Sequence, residues 1–373
     1  MKRKVLILTN PLNHEGGVVN YYNLFLKKFK SEEFELKHQS IGSRDWVFYY
    51  PILKIVLYPF FYFYDMLILC VNLISDRKIK IVQLSPSMIP VSLLRDAIPV
   101  VLAKIFRIKV VVFYRGWRVE TYTRIANKRV LRYLFNKVYQ SSTYQIVLAS
   151  SFKQSLLTLK SNQLNEIIVT TTAIEKDDII ILDKKFDSVI KVLFLGRVED
   201  LKGVKEIIKA ICKLNELKKL KDFEFTFVGH ENELGYIDNL KNTLKENNIE
   251  VSKVKFKGRI TGRKKFEEFA SNDIYLFPSY TEGCPTSVLE ALATGLFCVT
   301  TPVGALEEVI IPNKNGLLIK IQSVDSIVKA LLNCKSNKVF LNRRLEISKE
   351  AINKFEITNI CEKFNLLYNK IHP

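Results

Sequence analysis

The sequence predicts a doubly wound α/β protein built from two Rossmann-like domains. Three observations carry this expectation. The chain has 373 residues, enough for two domains of ordinary size. Short apolar runs alternate with helical patterns along almost all of it, as in parallel sheets covered by helices. The alternation occurs twice, with the charged stretch EKDDIIILDKKFDSVI between the two series. An apolar content of 48% beside 25% charged residues excludes a disordered chain.

In the first series the apolar runs Val5–Leu8, Ile81–Leu84, Val110–Phe113 and Gln145–Ala149 read as parallel strands. The second series is Lys191–Leu195, Phe223–Val228, Val254–Lys257, Ile274–Phe277 and Phe297–Thr300. Helical patterns lie between them, among them Gly203–Leu220, Tyr236–Asn247 and Arg263–Ala270. The final stretch, Arg344–His372, reads as helix. The expected domains are residues 1–180 and 186–345, with the last helix, about 355–373, packing back on the first. No low-complexity segment or short repeat interrupts this plan.

The six cysteines are scattered, without CxxC pairs or metal spacing, and read as reduced thiols of a cytoplasmic protein. The apolar run after the basic start MKRK is too short for a signal peptide. The net charge of +19 is uneven: residues 1–185 hold 28 Lys and Arg against 14 Asp and Glu, and residues 186–373 hold 29 against 24. A basic first half suits an anionic partner, either nucleic acid or a membrane surface; a lysine-rich solvated face is the plain alternative. Base-stacking and helix-turn-helix signatures are missing, so nucleic acid is not expected. Residues 46–75, WVFYYPILKIVLYPFFYFYDMLILCVNLIS, approach the length of a membrane span. Lys54, Pro59 and Asp65 interrupt them, and Arg77, Lys78 and Lys80 follow. We read one or two helices with an apolar face on a bilayer surface, with a domain core and a true span as alternatives.

In open parallel sheets, ligands sit at the carboxyl ends of strands, and the suggestive residues lie there. Residues 277–304 read FPSYTEGCPTSVLEALATGLFCVTTPVG. Glu282 in a loop, Gly283, and Glu290 inside the following helix put two carboxylates beside a helix N-terminus. That end offers free N–H groups and positive partial charge to a phosphate. Carboxylates there suit neutral hydroxyls, such as those of sugars, so the segment suggests a nucleotide-sugar site. A solvated helix with two stray acids explains the spacing alone equally well. Arg197 and Lys202 straddle another strand-to-helix loop and form a candidate diphosphate clamp. The loops Gly229-His230-Glu231 and Gly258-Arg259-Ile260 would receive a base and ribose through backbone groups. Gly16 and Gly17, beside His14, let the backbone approach a ligand, without a G-x-G-x-x-G fingerprint. Tyr114, Arg115, Trp117 and Arg118 either line a cleft or pack as aromatics with snorkelling arginine stems. There is no D-x-D pair for a divalent metal, no P-loop and no nucleophile elbow.

With these residues the chain resembles a family 4 glycosyltransferase of GT-B fold. The Gly16-Gly17 loop, Gly196-Arg197 with Lys202-Gly203, Gly258-Arg259, PSYTEGCPTSVLEALATG and TPVGALEEVI occur in the family's order. The resemblance covers nearly all of the chain and is strongest over residues 190–320. It implies α/β architecture with two Rossmann-like domains facing a central cleft. It implies that Arg197 and Lys202 bind the donor diphosphate, Glu290 the ribose and Glu282 the donor sugar, with Gly283 and the backbone after it, Cys284, Pro285 and Thr286, supporting sugar and phosphate. Gly16, Gly17, Gly196, Gly229, Arg259 and Ile260 complete the expected donor site. His14, Tyr114, Arg115 and Arg118 fall on the acceptor side. Such enzymes retain anomeric configuration and need no metal or other cofactor. The chain departs from the family at Arg115-Gly116, where His-Gly is common, and at Thr172-Ala173, where Asn-Gly is usual.

The function expected is therefore transfer of a sugar from a nucleoside-diphosphate sugar to a glycolipid, lipid-linked or oligosaccharide acceptor. The site expected is the cytoplasmic face of the cell membrane, with the protein peripherally attached to an anionic surface. A nucleotide-sugar epimerase of the same fold is the alternative, and a non-catalytic nucleic-acid or partner-binding protein a more distant one.

Overall fold

The computed structural model describes residues 2–14, 16–42, 51–141, 144–159, 166–182, 188–337 and 342–373, with backbone alone at 51–55 and 251. The chain forms two compact units, Met1–Thr172 with Ile357–Pro373, and Ala173–Glu356. Of the charged stretch at residues 175–190, positions 183–187 lie outside the described residues.

The first unit is a six-stranded sheet of β1 (Arg3–Thr9), β2 (Phe34–Ser40), β3 (Ile79–Leu84), β4 (Lys109–Phe113), β5 (Tyr144–Val147) and β6 (Glu166–Val169). All neighbours pair in parallel, in the order β2-β1-β3-β4-β5-β6. Its helices are α1 (Gly17–Lys28), α2 (Pro51–Ser75), α3 (Pro90–Ile105), α4 (Val119–Asn127), α5 (Arg129–Phe135) and α6 (Ser150–Leu159). Strands covered on both faces read as unbroken apolar runs, and Val5–Leu8 and Val110–Phe113 are fully buried.

The second unit repeats the plan with β7 (Ile190–Leu195), β8 (Phe223–Val228), β9 (Val254–Phe256), β10 (Ile274–Phe277), β11 (Phe297–Thr300) and β12 (Gly316–Leu318). They form a parallel sheet in the order β12-β11-β10-β7-β8-β9. Around it lie α7 (Val204–Glu216), α8 (Tyr236–Glu246), α9 (Arg263–Ser271), α10 (Thr286–Ala293), α11 (Leu306–Val309), α12 (Val324–Ser336) and α13 (Arg344–Phe355). The spacing of buried Val204, Ile207, Ile208, Ile211 and Leu214 shows why α7 forms: one helical face is apolar and lies on the sheet. The last helix, α14 (Ile357–Ile371), belongs to the first unit. Phe364 meets Phe25 of α1 edge to face at 5.0 Å, and the Tyr368 hydroxyl donates to Gln83 of β3 at 2.8 Å.

The doubly wound architecture is as the sequence predicts, with two differences in the elements. Strands β2, β6 and β12 are additional. Each is polar or short, and each lies at a sheet edge or beside one, where burial on both faces is not required. The segment Arg344–His372 is two helices, because Glu356 adopts extended backbone (φ −60°, ψ 139°) and pairs with Ile174. No glycine or proline marks that break. Residues 51–75 form one helix, which continues through Pro59; residues 46–50 lie outside the described residues. Within it, Val56–Ser75 is long and apolar enough to cross a membrane, with a mean hydropathy of 1.6. Its acid, however, turns inward: Asp65 is buried and accepts the Gly42 N–H at 2.9 Å.

Candidate functional site

The strand order of the second sheet reverses between β7 and β10. Ligands bind outside the carboxyl ends of strands at such a switch point. The loops leaving these two strands run into α7 and α10, and neither helix N-terminus has a side-chain cap. Two sets of free N–H groups and two positive dipole ends therefore adjoin one another. The loops are joined: the Tyr280 N–H donates to the Leu201 carbonyl at 2.9 Å, and the Ser279 hydroxyl oxygen lies 3.1 Å from the same oxygen. Gly203 makes this approach possible. Its φ is +72°, and a Cβ there would lie 2.2 Å from the Pro278 carbonyl oxygen.

The charged groups expected from the sequence gather around these loops. Lys202 Nζ meets Glu282 Oε1 at 2.5 Å, and the Ser279 hydroxyl donates to the same oxygen at 2.9 Å. Both partners are mostly buried, and the Lys202 ammonium lies 5.7 Å from the Phe277 ring centre. Arg197 is half exposed and pairs with Glu199 at 3.1 Å. Glu290, in α10, pairs with Lys265 of α9 at 2.7 Å, with 14% of its side chain exposed. Burial raises the Glu290 pKa from its ordinary value, and the Lys265 ammonium draws it part of the way back. Lys265 was not among the expected residues. It stands in a run of three cations, Arg263-Lys264-Lys265, and only the helix decides which of them faces Glu290.

The loop after β11 supports Glu282 from behind. Gly304 has φ +57°, and a Cβ there would lie 2.3 Å from the carbonyl oxygens of Glu282 and Gly283. The Ala305 N–H donates to Gly283 at 2.8 Å, and the Thr301 hydroxyl donates to the Ser279 carbonyl. Cys284 is buried, Pro285 is the N-cap residue of α10, and Thr286 opens that helix. The neighbouring loops are linked by backbone. The Gly196 N–H donates to Val228 at 3.0 Å, Val198 to His230 at 2.9 Å, and Gly229 to Gly258 at 2.7 Å. Arg259 is exposed and Ile260 half-buried. Glu231 caps α8, accepting the N–H groups of Gly235 and Ile237 at 3.1 and 2.8 Å.

The first sheet reverses its order between β1 and β3. Gly16 is the N-cap of α1 with φ +139°, Gly17 is its first residue, and the His14 N–H donates to Pro11 at 3.2 Å. Tyr114 belongs to the core, packed against Trp117, Phe135 and Tyr139, so its ring lines no surface. Arg115 is also buried, its guanidinium 3.9 Å from the Tyr21 ring centre and 4.9 Å from that of Phe113. Arg118, the N-cap residue of α4, is exposed. Of the two alternatives for this segment, aromatic packing around arginine is the one seen for Tyr114 and Arg115.

Comparison with known proteins follows the division into two units. Residues 177–354 match the family described as "Glycosyl transferases group 1". An uncharacterized glycosyltransferase of Methanocaldococcus jannaschii is 29% identical over 244 residues, 61% of this chain and 60% of that protein. The UDP-Gal:alpha-D-GlcNAc-diphosphoundecaprenol alpha-1,3-galactosyltransferase of Escherichia coli is 29% identical over 98 residues, 26% of this chain and 25% of that one. The chain thus aligns with less than two thirds of either relative. The solved structure of Anabaena HepE in complex with UDP superposes with a TM-score of 0.72, over 98% of this chain and 100% of that chain, at 14% identity. Such a likeness is one of fold.

The fold is GT-B.

The segment of this GT-B chain that matches the family contains Arg197, Lys202, Glu282 and Glu290, whereas the candidates between His14 and Arg118 lie outside it. The family and the two relatives are glycosyltransferases, which does not favour an epimerase.

Proposed function

We propose that this protein is a glycosyltransferase that takes a sugar from a nucleoside-diphosphate sugar and passes it, with retention of configuration, to a lipid-linked acceptor at a membrane surface. One observation carries the reading: two uncapped helix N-termini meet at the switch point of the second sheet, with the ion pairs Arg197–Glu199, Lys202–Glu282 and Lys265–Glu290 around them. The N–H groups and Arg197 and Lys202 take the diphosphate. Glu290 accepts hydrogen bonds from ribose hydroxyls, and Glu282 from sugar hydroxyls. Lys202 exchanges its contact with Glu282 for the diphosphate, which frees that carboxylate for the sugar. As the glycosidic bond to the diphosphate breaks, negative charge grows on the leaving oxygen. Fixed cations and helix dipoles stabilise it there without a metal ion.

The binding of UDP by HepE supports uridine as the first base to test. The diphosphoundecaprenol in the name of the Escherichia coli relative supports a lipid-linked acceptor. Peripheral attachment to the cytoplasmic face is supported by the exposed apolar side chains of α2, Phe60 and Phe63 among them, and by six cysteines that form no disulfide. The test is calorimetric titration with UDP, GDP and their sugars, followed by transfer to lipid-phosphate acceptors. Binding of a nucleoside diphosphate that Arg197→Ala and Lys202→Ala both weaken is the expected result. Wild-type binding in both variants rejects the site.

A further inference from the structure

The first unit carries an apolar groove that the donor chemistry leaves unused. It lies between α3, α4 and α5 and has a volume of about 390 Å³. Leu93, Leu94, Ala97, Ile125, Leu134 and Phe135 form most of its wall. The Tyr139 hydroxyl, also in the wall, already donates to the Leu93 carbonyl. Few polar groups remain to hold water, so the groove suits a hydrocarbon.

Its surroundings narrow the occupant. On α3 the exposed side chains Val91, Leu94, Ile98, Val101 and Ile105 recur every three or four residues and form one stripe. On α2, Val56, Phe60, Phe63, Leu67, Val71 and Ile74 form another. The two helices are tied together, the Tyr62 hydroxyl donating to the Arg95 carbonyl. Leu94 belongs both to the α3 stripe and to the groove wall, so the groove opens on the apolar stripe of α3. Residues 118–137 then add six cations, Arg118, Arg124, Lys128, Arg129, Arg132 and Lys137, against one acid, Glu120. All six are exposed, and none is ion-paired among the described residues. Arg124 stands in the groove wall itself. Apolar walls beside a cluster of unneutralised cations complement a molecule that is hydrocarbon at one end and anionic at the other.

We propose that this groove receives the hydrocarbon chain of a lipid phosphate, with Arg124 beside the phosphate, and that this lipid is the sugar acceptor: a hydroxyl oxygen of the group carried on the lipid phosphate bonds to the anomeric carbon as the bond from that carbon to the donor diphosphate breaks, and the hydroxyl proton leaves with the nucleoside diphosphate. The second half rests on the glycosyltransferase reading; the first half stands without it.

The experiment titrates farnesyl diphosphate, farnesol and inorganic diphosphate into the full chain by calorimetry, with UDP at saturation to occupy the donor site. Ala97→Trp fills the groove, and Leu94→Glu puts a charge at its lip; Leu94 is 75% exposed, so the second variant keeps the fold. Each is expected to weaken farnesyl diphosphate at least tenfold and to leave UDP binding unchanged. Arg124→Ala is expected to weaken farnesyl diphosphate about tenfold and farnesol not at all. Unchanged affinity in Leu94→Glu overturns the groove, as does inorganic diphosphate binding as tightly as farnesyl diphosphate. Groove-dependent binding with no sugar transfer to any lipid phosphate overturns the acceptor half and places the failure in the glycosyltransferase reading.

Discussion

Lys202 and Glu282 neutralise each other at 2.5 Å, and this pairing sets what each substitution should do. If Lys202 binds the donor diphosphate as proposed, Lys202→Ala removes that cation and leaves Glu282 with the Ser279 hydroxyl. Loss of one charge-assisted contact costs roughly 1.5–3 kcal/mol, about 10- to 150-fold in kcat/KM at low donor concentration. Arg197→Ala should act similarly, and steady-state kinetics check both. Glu290→Ala should weaken bare nucleoside diphosphate, whereas Glu282→Ala should spare it and damage sugar transfer. Equal effects of the two on bare nucleotide would reject the division of roles. Glu290 also predicts a pH dependence. Burial raises its folded-state pKa above 4.5, so the folded protein holds this proton more tightly than the unfolded chain. That stability is complete below the unfolded value and is lost as pH rises through the folded one. The melting temperature of the wild type relative to Glu290→Gln should therefore fall as pH is raised from 4.5. A relative rise would reverse the assigned cause.

At the scale of elements, the loop between β7 and α7 depends on Gly203. Gly203→Ala places an L-residue at φ +72°, costing roughly 1–2 kcal/mol, and drives its Cβ into the Pro278 carbonyl. The expected result is a lower melting temperature together with weaker nucleotide binding, because the loop carries Lys202. Helix α2 gives the opposite kind of prediction. Phe60 and Phe63 are 70% and 66% exposed, so replacing both with serine should leave the melting temperature nearly unchanged and lower binding to anionic liposomes. Unfolding of that double variant would make them core and end the membrane role of this face. Asp65→Ala, by contrast, leaves the buried Gly42 N–H without its acceptor and should cost about 1–3 kcal/mol.

At the scale of the whole molecule, the net charge of +19 lies mostly in the first half of the sequence. Liposome attachment should then have two parts. The electrostatic part weakens as salt shortens the Debye length, to about 3 Å at 1 M. The apolar part persists until detergent is added. Resistance to both salt and alkaline wash would mean a span, and no binding at all would mean a soluble face.

The sequence by itself determined the two-fold doubly wound plan, because strands covered on both faces must be unbroken apolar runs. It also located Arg197, Lys202, Glu282 and Glu290, because glycines and charges at strand ends stand apart from those runs. Edge strands β2, β6 and β12 left no such signal, since β2 is polar and β6 and β12 are only four and three residues long. Only the tertiary structure decided that Lys265 answers Glu290, that Arg115 stacks on Tyr21, that Asp65 turns inward, and that the helix ends at Glu356. These are contacts between residues distant in the chain or breaks imposed by them. Local pattern fixes which face of an element is apolar; which partner a side chain meets is set by packing, and one sequence does not encode that in any short stretch.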